Sequence, residues 1–109
     1  MIRSLLFMPG NSPAMLLNAD IHGADAVIFD LEDAVAPAQK DAARILTRNA
    51  LSAMDYQNIQ VVVRANPLGS AYLADDLAAI VPLQPFAILA PKVGTAEDAR
   101  AVSRMIAQI

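Results

Sequence analysis

The chain has 109 residues, 56% of them hydrophobic and 17% charged, with a net charge of −3 and no cysteine. That length holds one domain or part of one, with ample apolar material for a core. The acidic balance argues against a nucleic-acid module, and the missing cysteines exclude disulfides, zinc–thiolate sites and a cysteine nucleophile.

In chain order, SLLFM (4–8) is a short apolar run stopped by Pro9-Gly10, the first expected strand. The apolar stretch before it is too short for a signal-peptide core or a membrane span, so a cytoplasmic, non-membrane protein is expected. SPAMLLNADIHG (12–23) opens on a Ser cap with Pro at the first helical position and ends at Gly, which predicts a helix. DAVIFDL (25–31) is the second strand. Residues 37–54 have apolar positions at 42, 45, 46, 50 and 53, the helical period. IQVVVRA (59–65) is the third strand. Residues 71–81 form a helix with Leu73, Leu77 and Ile80 on one face. FAILAP (86–91) is the fourth strand, and 95–109 is a helix opened by a Thr-x-x-Asp capping pattern. Its apolar positions are 99, 102, 106 and 109.

Four strand–helix units in series give parallel strands with right-handed crossovers. The series fits the first four units of a (β/α)8 barrel, which needs eight units, so residues 1–109 are expected to be its N-terminal half. An open doubly wound sheet fits the length, but MPGNSP after strand one is neither a dinucleotide fingerprint nor a Walker loop. A barrel places the strands side by side in the order 1-2-3-4. A response-regulator-like sheet would need a fifth strand, and none is visible.

The chemistry gathers where the strands end. Residues 26–40, AVIFDLEDAVAPAQK, run from a buried strand straight into Asp30, Glu32 and Asp33. Carboxylates crowded there need a cation or a hydrogen-bond network. The same rim carries Asn11 after strand one, Arg64 and Asn66 after strand three, and Lys92 after strand four. Ligands of parallel α/β folds bind at this end. Each residue also has a plainer reading. Glu32 and Asp33 suit the positive end of the following helix, Arg64 suits a salt bridge to strand two, and Lys92 suits a solvated loop. Lys40 and Arg44, four apart, read as a solvent-facing pair, His22 as structural on the opposite rim, and Met8, Met15, Met54 and Met105 as core filling.

RSLLFMPGNSPAML, GADAVIFDLEDAV, KDAAR, VVVRANPL and PKV resemble, in order and spacing, the N-terminal part of the citrate lyase beta subunit family. Those are the citryl thioester lyases of the HpcH/HpaI-like acyl-CoA lyases, a group that includes malyl- and citramalyl-CoA lyases. The resemblance covers nearly the whole chain and implies half of a (β/α)8 barrel. It implies a lyase that cleaves citryl-ACP or citryl-CoA to an acetyl thioester and oxaloacetate with Mg2+. It further implies an acyl carrier protein or CoA thioester as partner, and a homo-oligomer or citrate lyase complex.

By resemblance, Glu32 and Asp33 hold waters of the magnesium ion, Arg64 grips an oxaloacetate carboxylate, Lys92 stands nearby and Asn11 shapes the wall near the thioester. The family's direct magnesium ligands, a Glu and an Asp after strands five and six, have no counterpart before Ile109. The chain by itself is therefore expected to be inactive, and a non-catalytic truncated half-barrel scaffold is the alternative. The first helix lacks Lys or Arg, which leans towards a carrier-protein thioester. VRAN stands where VRIN is usual.

Overall fold

The computed structural model describes residues 1–56 and 58–109. Strands β1 (Leu5–Pro9), β2 (Ala26–Asp30), β3 (Gln60–Arg64) and β4 (Ala87–Leu89) form one sheet. They lie parallel in the order β1-β2-β3-β4, the sequential order a barrel requires. Helices α1 (Pro13–Leu17), α2 (Lys40–Ala53), α3 (Leu73–Ile80) and α4 (Ala96–Ala107) alternate with them. No helix among the described residues is long and apolar enough to cross a membrane.

The two faces of the sheet differ. Val27, Phe29, Val61 and Val63 point to the helices and pack with Leu16, Ala43, Ala50 and Ile80. Phe29 is fully buried and meets Tyr56 edge-on, ring centroids 5.7 Å apart. The Tyr56 hydroxyl donates to the Leu16 carbonyl at 2.6 Å, tying the chain after α2 to α1. The opposite face is set by register. Phe7, Ile28, Val62 and Ala87 are partners across it, and Leu89, partner of Arg64, lies two residues beyond Ala87. Among the described residues no helix covers it, and Leu5, Phe7 and Leu89 stay exposed there.

Several element boundaries shift from the sequence expectation. The first helix breaks after Leu17, and Ala19–His22 continue as a 3₁₀ turn. The Asn18 side chain donates to the Ala14 carbonyl, competing with helix continuation, and Ser12 makes no side-chain cap. Pro37–Gln39 form a 3₁₀ turn ahead of α2, and β4 shortens to Ala87–Leu89. Thr95 does cap α4, accepting from the Asp98 amide at 3.1 Å.

The buried face of α2 is also rotated. Lys40, Ala43, Thr47 and Ala50 face inward, while Ile45 is exposed. Polar residues turn in because acceptors await them. Thr47 Oγ1 donates to the Gly10 carbonyl at 3.3 Å, and Lys40 finds two carbonyls at the end of β2. Of the methionines read as core, Met8 is fully buried but Met15 is exposed.

Gly10 makes the turn after β1 possible. Its amide donates to the Asp30 carbonyl at 2.8 Å. An added Cβ would lie 2.8 Å from both Leu31 Cδ2 and Thr47 Oγ1, and 2.9 Å from the Asp30 carbonyl oxygen. The backbone oxygen cannot yield without moving the end of β2. Gly10→Ala should therefore destabilise the chain by about 1–3 kcal/mol, read as a lower urea midpoint. An unchanged midpoint would show that the turn can relax around the methyl group.

A charged rim at the strand ends

Asp30, the last residue of β2, is 1% exposed. Its partner in register is Arg64, the last residue of β3. Arg64 Nε donates to Asp30 Oδ1 at 2.8 Å and a terminal guanidinium nitrogen donates to Oδ2 at 2.6 Å. This two-toothed pair fits the guanidinium fork. The Asp30 oxygens also accept the amides of Glu32 (2.8 Å) and Ala34 (3.1 Å), closing the chain into a tight turn. The Phe7 ring lies 4.9 Å from the Arg64 guanidinium carbon and supports the cation from below.

Burial opposes ionisation of Asp30, but the Arg64 bonds and the two backbone amides outweigh it and hold its carboxyl below the usual value. The Asp30 bond, against a smaller opposing effect of burial, raises Arg64 further.

The turn aims Glu32 across the rim. It is 4% exposed, and its carboxylate accepts from Lys92 Nζ at 2.8 Å, with Arg64 Nε 3.7 Å away. Asp33 is exposed and lies 3.6 Å from the same ammonium. The bond to Glu32 and the charge of Asp33 raise the Lys92 pKa. Lys92 has a φ of 56°, the left-handed region that costs a non-glycine residue about 1 kcal/mol or more. Such strain persists where surrounding contacts enforce it.

Asp30, Glu32, Asp33, Arg64 and Lys92 thus share one end of the sheet. Arg64 takes the strand-two salt bridge. Asn11 sits half-buried in the turn after β1 and makes no hydrogen bond to this cluster.

Two expectations are overturned. Lys40 is 9% exposed, not on a solvent face. It donates to the carbonyls of Leu31 (3.0 Å) and Glu32 (2.9 Å) and lies 5.6 Å from the Tyr72 ring centre. So Asp30 holds the amides of the carboxylate turn while Lys40 holds its carbonyls. Arg44 is likewise largely buried, its Nε 2.9 Å from Asp76 Oδ1. Burial opposes its charge, but the Asp76 bond prevails and raises its pKa. Asp76, 1% exposed, went unnoticed in the sequence. Its position between Leu73 and Leu77, on the apolar stripe of α3, was the available signal.

A cavity of about 400 Å³ adjoins the cluster, lined by Glu32, Asp33, Lys40, Asn66, Tyr72 and Lys92 among others.

Comparison with known proteins bears on this rim. The family model described as HpcH/HpaI aldolase/citrate lyase matches residues 3–109. The citrate lyase subunit beta of Haemophilus influenzae is 42% identical over 107 residues, covering 98% of this chain and 37% of that protein. A (3S)-malyl-CoA thioesterase of Cereibacter sphaeroides is 41% identical, covering 98% of this chain and 38% of that protein. Among solved structures, the protein CitE of Mycobacterium tuberculosis in complex with magnesium, acetoacetate and coenzyme A superposes with a TM-score of 0.76 at 36% identity. That match covers 91% of this chain and 35% of the other. The chain therefore spans little more than a third of the length of these relatives.

Arg64→Ala, which strands Asp30 without its cation, should cost about 3–5 kcal/mol. The pH dependence follows from the lowered Asp30 pKa. Stability from this group is complete above the unfolded carboxylate value of about 4 and is lost as pH falls through the lower folded value. Urea midpoints measured from pH 7 down to pH 2 should fall less steeply in Asp30→Asn than in the parent. Parallel curves would remove Asp30 from the account.

Proposed function

The chain belongs to the HpcH/HpaI aldolase/citrate lyase family, and on that premise we propose that it forms the N-terminal half-barrel, residues 1–109, of a magnesium-assisted carbon–carbon lyase. The substrate we infer is a citryl thioester on an acyl carrier protein or CoA, giving an acetyl thioester and oxaloacetate. The observation that carries this reading is the ion cluster. Two cations and three carboxylates are built onto the ligand-binding end of a parallel sheet, with strain at Lys92 and the Arg64 guanidinium partly accessible.

In the reaction, the β-hydroxyl loses its proton, the carbon–carbon bond breaks, and its electron pair passes into the thioester as an enolate that is then protonated. Arg64 uses one face of its fork on Asp30, and its remaining N–H groups are left to grip the carboxylate of the departing keto acid. Lys92, tethered to Glu32, adds positive charge on the same rim. The Asp30 and Lys40 bonds hold Glu32 before any ligand arrives, so no reorganisation is needed at the moment of reaction. Asn11 contributes to the wall beside β1.

Magnesium fits only an indirect place among these residues. No group of three His, Cys, Asp or Glu side chains that could hold a metal occurs among the described residues, and Asp30 is consumed by Arg64 and two amides. Glu32 and Asp33 fit the acceptance of hydrogen bonds from metal-bound waters, with direct ligands contributed from outside residues 1–109. When bound, the ion polarises the forming carbonyl. The same cluster could serve a malyl or citramalyl thioester, which the 41% identity to a malyl-CoA thioesterase favours as the second reading. The proposed setting is cytoplasmic, in a homo-oligomer or citrate lyase complex.

The test uses two proteins. Residues 1–109 alone, assayed with magnesium and with citryl or malyl thioester, should show no turnover above background. Residues 3–109 grafted in place of the matched segment of the Haemophilus influenzae subunit should restore cleavage. In that graft Arg64→Lys should lower kcat/KM by about 10²-fold, because the ammonium loses the fork geometry. Turnover by the isolated chain near the rate of the full-length relative would refute the assignment of metal ligands outside it. Malyl cleavage without citryl cleavage by the graft would establish the second reading.

A further inference from the structure

The cavity beside the ion cluster contains one polar side chain whose orientation is fully determined. Asn66 follows β3 two residues after Arg64 and is 2% exposed. Its backbone amide and its side-chain Nδ2 both donate to a single oxygen, Asp76 Oδ2, at 2.9 and 2.7 Å. A carboxylate only accepts, so the side-chain nitrogen must face Asp76 and the amide oxygen must face away. Arg44 holds the other Asp76 oxygen from α2. The Asn66 oxygen accepts no hydrogen bond from the described residues, yet it is not among the polar atoms sealed off without a partner. Asn66 is one of the residues lining the cavity, together with Glu32, Lys40, Tyr72 and Lys92.

The consequence is chemical. Lys40 and Lys92 bring donors to this cavity, and Glu32 is already engaged by Lys92. Asn66 adds a neutral, fixed acceptor, which suits a hydroxyl donor rather than a carboxylate. Arg64 stands beside this cavity, 3.7 Å from the lining Glu32, and a hydroxy acid with its carboxylate on Arg64 and its hydroxyl in the cavity is the ligand that would use both. We propose that Asn66 is a ligand-contacting residue whose amide oxygen accepts a hydrogen bond from the hydroxyl of a hydroxy-acid ligand, with Asp76 and Arg44 as the residues that position it. The proposal rests on the lyase reading above and adds to it the group that distinguishes a hydroxy acid from its deoxy analogue. A site built to bond a hydroxyl leaves a buried acceptor unpaired when the hydroxyl is missing.

The test is an NMR titration of the 109-residue chain with malate and with succinate, which share two carboxylates and differ in the hydroxyl. Malate should shift the Asn66 side-chain amide signals and bind about tenfold more tightly than succinate, the ratio expected of one such hydrogen bond. In Asn66→Ala the ratio should fall to about one while the Arg64 guanidinium still responds to both acids. The wild-type comparison needs no variant, so a misfolded mutant does not decide the matter. Equal binding of the two acids, or malate leaving the Asn66 amide unmoved, overturns the proposal. An Arg64 response in the same spectra would spare the keto-acid reading, and a silent Arg64 would count against it as well.

Discussion

The Asp30–Arg64 pair is the constraint on which the rest of the rim depends. It joins two neighbouring strands at the end where the chain leaves the sheet. A buried carboxylate there would be costly alone, and one cation and two backbone amides satisfy it together. The amides bend the chain so that Glu32 swings towards β4, where Lys92 meets it across the opening. One ion pair therefore sets the turn and the turn sets the second ion pair. A guanidinium, an ammonium and two further carboxylates end up within reach of a single small ligand.

Behind this first layer stands a second set of fixed contacts from the helices. Lys40 reaches forward from the start of α2 to the carbonyls of the carboxylate turn, and Arg44, one turn later, reaches Asp76 on α3. A lysine at a helix start opposes the helix dipole, so its placement makes sense only through what it binds. Lys40 links α2 to the end of β2, and Arg44 links α2 to α3, whose Asp76 in turn holds Asn66 after β3. Substitutions of Lys40 or Arg44 would be felt at the rim rather than in the apolar core.

The strand–helix alternation, the strand order and the crowding of charge at one end were legible in the sequence. They depend on hydrophobic period and chain order, which are local or topological. The break at Asn18 was not legible, since it turns on a side chain competing with the backbone within one turn. The inward faces of Lys40, Arg44 and Thr47 were missed because periodicity counts apolar residues, and these are polar residues whose partners lie on other elements. Asp76 could have been found as a charge in the apolar stripe between Leu73 and Leu77. Arg64 was legible as a pair for strand two. The guanidinium is bonded to β2 and still partly open.

The open face of the sheet has a consequence for the tempo of the molecule's motions. β2 and β3 each have a neighbour on both sides, whereas β1 and β4 each have one among the described residues. β4 is three residues long, and Leu89 on its open face is exposed. The helix-free face meets solvent at β1 and β4, where Leu5, Phe7 and Leu89 are exposed, whereas Ile28 and Val62 at its centre are buried. Hydrogen-bond opening in the chain alone should thus be graded by position. Amide exchange should begin at β4, reach β1 next, and arrive last at the centre of β2, all five of whose residues are buried. The carboxylate turn is anchored to that slowest strand, while Lys92 hangs from the fastest.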